Sequence, residues 1–235
     1  MTLVRYTPQA VLIANVEEAR YRVLASEDGR VLVQARYAVR NNQRSFLKVS
    51  LPQNSTVWSA EVAGRPVRPG IAGSDAVLLP LEKGRAGAEA PTFAAELVYL
   101  QRTDAWMDKG RGRVDLPALD LPVSRTGLEL YYSPRFRIDA QPGTFRVAND
   151  PGVFAEAFRQ PGMSIAVTPG EANDASGLQA LVERYRSGSG GRTIVGALPV
   201  HVTFPGVGPS IFLACELTEE GRAPSVELTF KRARS

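Results

Sequence analysis

The sequence predicts an all-β fold: two tandem β-sandwich domains of Ig-like or jelly-roll-like type, with two short helices inserted in the second. Three observations carry that expectation. Apolar and polar residues alternate over much of the chain, the two-residue period of a strand with one buried face. Several of these runs end in proline, as at residues 46–52 (FLKVSLP), 127–134 and 198–205. The 21 glycines and 17 prolines are spread between the runs, where they punctuate turns.

The elements follow in order. Residues 10–16 read as a first strand or the start of a short helix, with strand preferred. Ala19, Tyr21 and Val23 alternate with polar neighbours, and Ser26-Glu27-Asp28-Gly29 turns the chain into a second run, Val31, Val33, Ala35, Tyr37 and Val39. An Asp-Gly pair favours a tight hairpin because glycine accepts the positive φ that such turns require. Strands are expected at 46–51 and 56–62. Residues 64–70 hold two prolines and cannot form a central strand, since each proline removes a ladder donor. Runs at 77–81 and 93–100 complete a first domain over residues 1–105.

Residues 101–126 break the rhythm and read as a linker or crossover carrying a solvated basic tip, Lys109-Gly110-Arg111-Gly112-Arg113. The second domain, 106–235, has strands at 128–132, 136–140, 193–197, 200–204, 211–217 and 226–230. Its two helices are expected near 151–160, capped by Asp150-Pro151, and near 177–187, where Leu178, Leu181, Val182 and Tyr185 form one apolar stripe. The segments 46–70 and 198–225 both run strand, proline, turn, strand, an echo consistent with two related modules.

The run RYAVRNNQRSFLKVSLPQNSTVWSAEVAGRPVRP, followed by AVLLPL and FAAELVY, spans residues 36–99. It resembles β-sandwich modules of large, mostly uncharacterised bacterial cell-envelope proteins. The resemblance implies an extracytoplasmic fragment of a larger polypeptide and no activity of its own. If Met1 is instead a true start, the chain is expected in the cytoplasm, because residues 1–6 lack the features of a signal peptide.

Composition excludes several chemistries. With one histidine, His201, no multi-histidine zinc site can be assembled. With one cysteine, Cys215, no intrachain disulfide exists, and its apolar run marks it as a small buried hydrophobe. No phosphate-binding loop, nucleophile elbow or cofactor motif appears, so no catalytic residue, metal ligand or cofactor is assigned. No stretch reaches the roughly 18 apolar residues of a membrane span. The net charge of +4, from 28 basic against 24 acidic residues, is scattered along the chain, so no specific nucleic-acid partner is expected.

What remains is surface. Trp106 beside the basic tip is expected to be exposed, and with Lys109, Arg111 and Arg113 it forms the candidate binding group for a protein or carbohydrate partner. Seven acids (Glu96, Asp104, Asp108, Asp115, Asp120, Glu129 and Asp139) offer material for a two-carboxylate site. The expected function is a non-catalytic structural or interaction module of a bacterial envelope protein. The alternatives are a carbohydrate-active β-sandwich enzyme and a structural subunit of a phage or secretion system.

Overall fold

The computed structural model describes residues 13–83, 92–141, 143–148, 158 and 204–233. The chain runs through β1 (Ala14–Ala25), β2 (Arg30–Asn41), β3 (Phe46–Ser50), β4 (Ser55–Val62) and β5 (Arg65–Pro66). It continues with β6 (Gly70–Ile71), β7 (Ala76–Pro80), β8 (Thr92–Arg102), β9 (Lys109–Asp115) and β10 (Ala118–Leu119). β11 (Val123–Tyr132), β12 (Phe136–Ala140), β13 (Arg146–Val147), β14 (Ser210–Thr218) and β15 (Ser225–Arg232) follow. The protein is all-β, as its alternation predicts.

The strands form three sheets. The largest has the order β13-β14-β11-β1-β2-β8-β4-β5; a second is β10-β3-β7-β6 and a third β12-β15-β9. One face of the large sheet, with Tyr21, Val23, Ala35, Tyr37, Leu97 and Tyr99, shares a single apolar core with the two smaller sheets. Leu47, Val49 and Leu79 come from the second sheet and Val226, Leu228 and Phe230 from the third. Each fully buried leucine contributes on the order of 1.5–3 kcal/mol relative to exposure.

The β1–β2 hairpin closes as the Asp-Gly pair predicts. Ser26 N–H donates to Arg30 C=O at 2.9 Å, and Gly29 has φ +79°. Residues 64–70 supply only two-residue strands, with β5 at the edge of the large sheet beside β4.

Two expectations are corrected. Residues 101–126 do cross between sheets, but as strands and not as a linker: they hold the end of β8, all of β9 and β10, and the start of β11. Nor do the described strands fall into separate sheets on the two sides of residue 105. β1 pairs in parallel with β11, so strands from both sides share one ladder. The helices expected near 151–160 and 177–187, the strands at 193–197 and 200–204, and His201 lie outside the described residues, save Phe158 and Phe204.

Burial raises the phenols of Tyr21, Tyr37 and Tyr99 above the ordinary value of about 10. In the unfolded chain these groups ionise near that value, so the folded state binds more protons in alkali. Their contribution to stability is therefore fully present below about pH 10 and is lost as pH rises further. Urea midpoints are expected to stay level from about pH 8 to 9.5 and to fall above 10, with these phenolates appearing only on unfolding. A phenolate absorbance corresponding to all seven tyrosines in a still-native protein would contradict this.

Candidate anion-binding face

The three-stranded sheet has two unlike faces because its strands alternate. Inward go Phe136 and Ile138 of β12, Val226, Leu228 and Phe230 of β15, and Val114 of β9. Between them, Gly110 and Gly112 stand opposite Phe230 and Leu228. A Cβ on Gly110 would lie 2.7 Å from Phe230 Cζ, and one on Gly112 would lie 2.9 Å from Leu228 Cδ1. The neighbouring strand thus fills the apolar side of β9, and glycine leaves the room for it.

Outward go the charges. Lys109 stands directly opposite Lys231, and Lys231 directly opposite Arg137, so three cations sit side by side across three strands. Strands lie about 4.8 Å apart, and like charges directly opposite one another destabilise a sheet. Arg111, Thr229 and Asp139 form the next row. An open groove of about 590 Å³ runs over this surface, lined by Lys109, Arg111, Arg137 and Lys231 with Asp139 as its one carboxylate. Among the described residues none of the four cations is in a salt bridge.

Of the residues singled out in the sequence, Lys109 and Arg111 stand exposed on this face. Arg113 lies one step further along β9. Its Nε is 2.6 Å from Asp115 Oδ1, and that hydrogen bond and charge raise the guanidinium pKa. Its charge is thus already matched. Trp106 is half-buried, with its ring stacked on Phe230 at 4.7 Å and edge-on to Phe136 at 5.4 Å. It braces the sheet from the core side instead of lining the groove. Arg137 and Lys231 went unnoticed in the sequence because only the strand register brings them beside Lys109.

The outer face of the eight-stranded sheet carries a second set of charges. In register across β4, β8, β2 and β1 lie Glu61, Glu96, Arg36 and Arg20, all buried. Gln34 Nε2 donates to Glu96 Oε1 at 2.9 Å, and Arg36 Nε is 3.5 Å from Glu96 Oε2. Glu18 accepts from Arg20 and, at 2.5 Å, from Arg125. Aromatic rings lie against the arginines, with Phe158 4.8 Å from Arg36 and Phe212 5.4 Å from Arg20. Burial lowers the Arg36 pKa and Glu96 opposes that shift. Next to this lattice, Leu32, Val98, Leu100, Tyr131 and Phe204 form a small apolar cluster against which Trp58 packs.

Of the seven acids considered as catalytic pairs, five are matched by arginine: Glu96 by Arg36, Asp108 by Arg232, Asp115 by Arg113, Asp120 by Arg44 and Glu129 by Arg22. Among the described residues, the carboxylates that the sheet register brings directly opposite one another are Glu61 and Glu96, and Glu61 was not among the seven. Among the described residues no group of three or more His, Cys, Asp or Glu is placed to hold a metal ion. Cys215 is buried, with its Sγ 3.9 Å from Thr218 Oγ1, and burial raises its thiol pKa. No described helix is long and apolar enough to cross a membrane.

No protein-family model and no curated protein matches the chain. Among solved structures it is similar to an M1 zinc metallopeptidase from Deinococcus radiodurans, with TM-score 0.42 and 14% identity over 58% of this chain. It is similar also to Legionella pneumophila aminopeptidase A (TM-score 0.39, 14% identity, 56% of this chain). A third is leukotriene A4 hydrolase from Saccharomyces cerevisiae (TM-score 0.37, 9% identity, 55% of this chain). The match spans 37% of the Deinococcus chain, 18% of the Legionella chain and 24% of the yeast chain. These neighbours are a metallopeptidase, an aminopeptidase and a hydrolase, none of them named as a module of an envelope protein, and the expected function as a non-catalytic envelope module is not carried further.

Proposed function

We propose that the chain recognises acidic polypeptide segments through the outer face of the three-stranded sheet. The observation that carries this reading is the row Lys109, Lys231 and Arg137, three adjacent like charges with no salt bridge among the described residues. An anion laid across the row relieves their mutual repulsion. Spacing favours a peptide: Lys109 and Arg111 are two residues apart on β9, about 6.8 Å, the repeat of alternate side chains in an extended strand. The patch is short and interrupted by Asp139 and Glu227, which suits a few carboxylates better than a continuous phosphodiester backbone.

The test is fluorescence anisotropy with a labelled peptide of alternating glutamate and threonine. Binding is expected to weaken as salt rises, and Lys231→Glu is expected to weaken it by at least about tenfold, or 1.4 kcal/mol. Because Lys231→Glu places a carboxylate between two cations, it should leave the fold at least as stable as before. Lys48→Glu, on the four-stranded sheet, serves as the control and should change little. Equal losses in the two variants would sink the reading. So would tighter binding of single-stranded DNA of equal charge.

A further inference from the structure

The geometry points to a docking mode for such a segment: we infer that it adds as a fourth strand along the free edge of β9. This inference rests on the acidic-peptide reading above and goes beyond it by assigning the backbone contacts. β9 is the last strand of its sheet, with β15 on one side and no strand on the other among the described residues. Its ladder to β15 is bracketed by two hydrogen bonds. Arg232 N–H donates to Asp108 C=O at 2.6 Å, and Leu116 N–H donates to Pro224 C=O at 2.9 Å. In an antiparallel pair, residues alternate between those that exchange hydrogen bonds with the partner and those whose polar groups turn away. With Asp108 and Leu116 in the bonded set, so are Gly110, Gly112 and Val114. The N–H and C=O groups of Lys109, Arg111 and Arg113 therefore face outward from the sheet.

That parity matters because the same three residues carry the outward side chains. Residues whose backbone groups are open to a new strand also place cations beside it. A strand paired there sets its own side chains directly opposite them, at about 4.5–5.5 Å between Cβ atoms. Acids at alternate positions of the incoming strand meet Lys109 and Arg111 in turn, while the next such position faces Arg113, whose charge Asp115 already matches. The intervening residues fall on the side of Gly110 and Gly112, where β9 contributes no side chain and Leu228 and Phe230 lie beneath. The recognised pattern is thus acid-apolar-acid in an extended segment, with affinity from main-chain hydrogen bonds and selectivity from charge. Lysine and arginine on an edge also deter pairing by ordinary apolar strands, so the same residues that reject one partner admit the other.

Three labelled peptides of equal charge separate the possibilities in the full chain. The first is Thr-Glu-Val-Glu-Val-Glu-Thr. The second has the same sequence with alternate backbone nitrogens methylated on the pairing edge, and the third groups its glutamates in one block. The alternating peptide is expected to bind at least about tenfold more tightly than either of the others. On binding, the amides of Lys109, Arg111 and Arg113 should gain protection from hydrogen exchange, while those of Gly110 and Gly112 are protected throughout. If the methylated peptide binds as well as its parent, strand addition is wrong and anion recognition stands. If none of the three binds, the recognition reading fails and strand addition fails with it.

Discussion

Replacing Glu18 with alanine is expected to cost about 3–5 kcal/mol of folding stability, the usual consequence of removing one partner from a buried ion pair. The Glu18 side chain is 1% exposed and accepts hydrogen bonds from Arg20 and Arg125. Arg20 is itself nearly buried, so the substitution takes away a carboxylate that compensates for its lost hydration. Arg125 is different: its side chain is 48% exposed and recovers water. Arg125→Ala is accordingly expected to cost no more than about 1 kcal/mol. Urea denaturation of the two variants checks the contrast. Raising salt should barely change the Glu18→Ala effect, because buried pairs are poorly screened. A Glu18→Ala loss below that of Arg125→Ala would show that the buried pair is not what holds this end of the sheet.

Gly29→Ala is expected to cost about 3 kcal/mol, from two sources that a second variant separates. Gly29 has φ +79°, and an alanine there bears the left-handed penalty of about 1–2 kcal/mol. Its Cβ would also lie 2.3 Å from the carbonyl oxygen of Thr103 and 2.9 Å from the Asp104 carbonyl carbon. These are backbone atoms, so no rotamer change relieves the collision. Thr103 N–H donates to Gly29 C=O at 2.7 Å, and that tie between the hairpin and the end of β8 must give way. Gly64, in the turn between β4 and β5, has φ +72° with nothing within 4 Å of its would-be Cβ. Gly64→Ala thus bears the conformational penalty alone, about 1–2 kcal/mol. Thermal or urea unfolding of both variants should show a clear gap, and equal losses would mean that the hairpin moves freely away from β8.

The strands with alternating apolar residues were legible. β2, β3, β4, β7, β8, β12, β14 and β15 appear within a residue or two of where the pattern places them. β9 was not, for a reason visible in its neighbours. Its inward positions are Gly110, Gly112 and Val114, so only its last one shows an apolar residue; most of the apolar mass belongs to Phe230 and Leu228, more than a hundred residues later. A strand whose buried face is supplied by another strand leaves no mark of its own. The candidate site divides in the same way. Lys109 and Arg111 were visible as a local basic cluster, whereas Arg137 and Lys231 join them only through register. Trp106 was read as surface because its flanks are irregular, and the ring partners that cover it, Phe136 and Phe230, are distant in sequence. The pairing of Glu61 with Glu96 likewise depends on register, shifted by the irregularity between Val57 and Ser59.

The parallel pairing of β1 with β11 also sets an order of events during synthesis. β1, β2, β8 and β4 can pair among themselves once residue 102 has emerged, since β1–β2, β2–β8 and β8–β4 are all antiparallel. The other edge of β1 has to wait. Its partner begins at Val123 and ends at Tyr132, and nine residue pairs join the two strands. At synthesis rates of about 5–20 residues per second, that edge stays open for on the order of seconds, longer than hairpin formation by many powers of ten. The nascent chain therefore passes through a stage in which an almost complete half-sheet offers a bare β1 to any strand nearby. A release or pause before residue 132 would hold it there, which makes the first hundred residues a hazard to the cell whenever they are made without the rest.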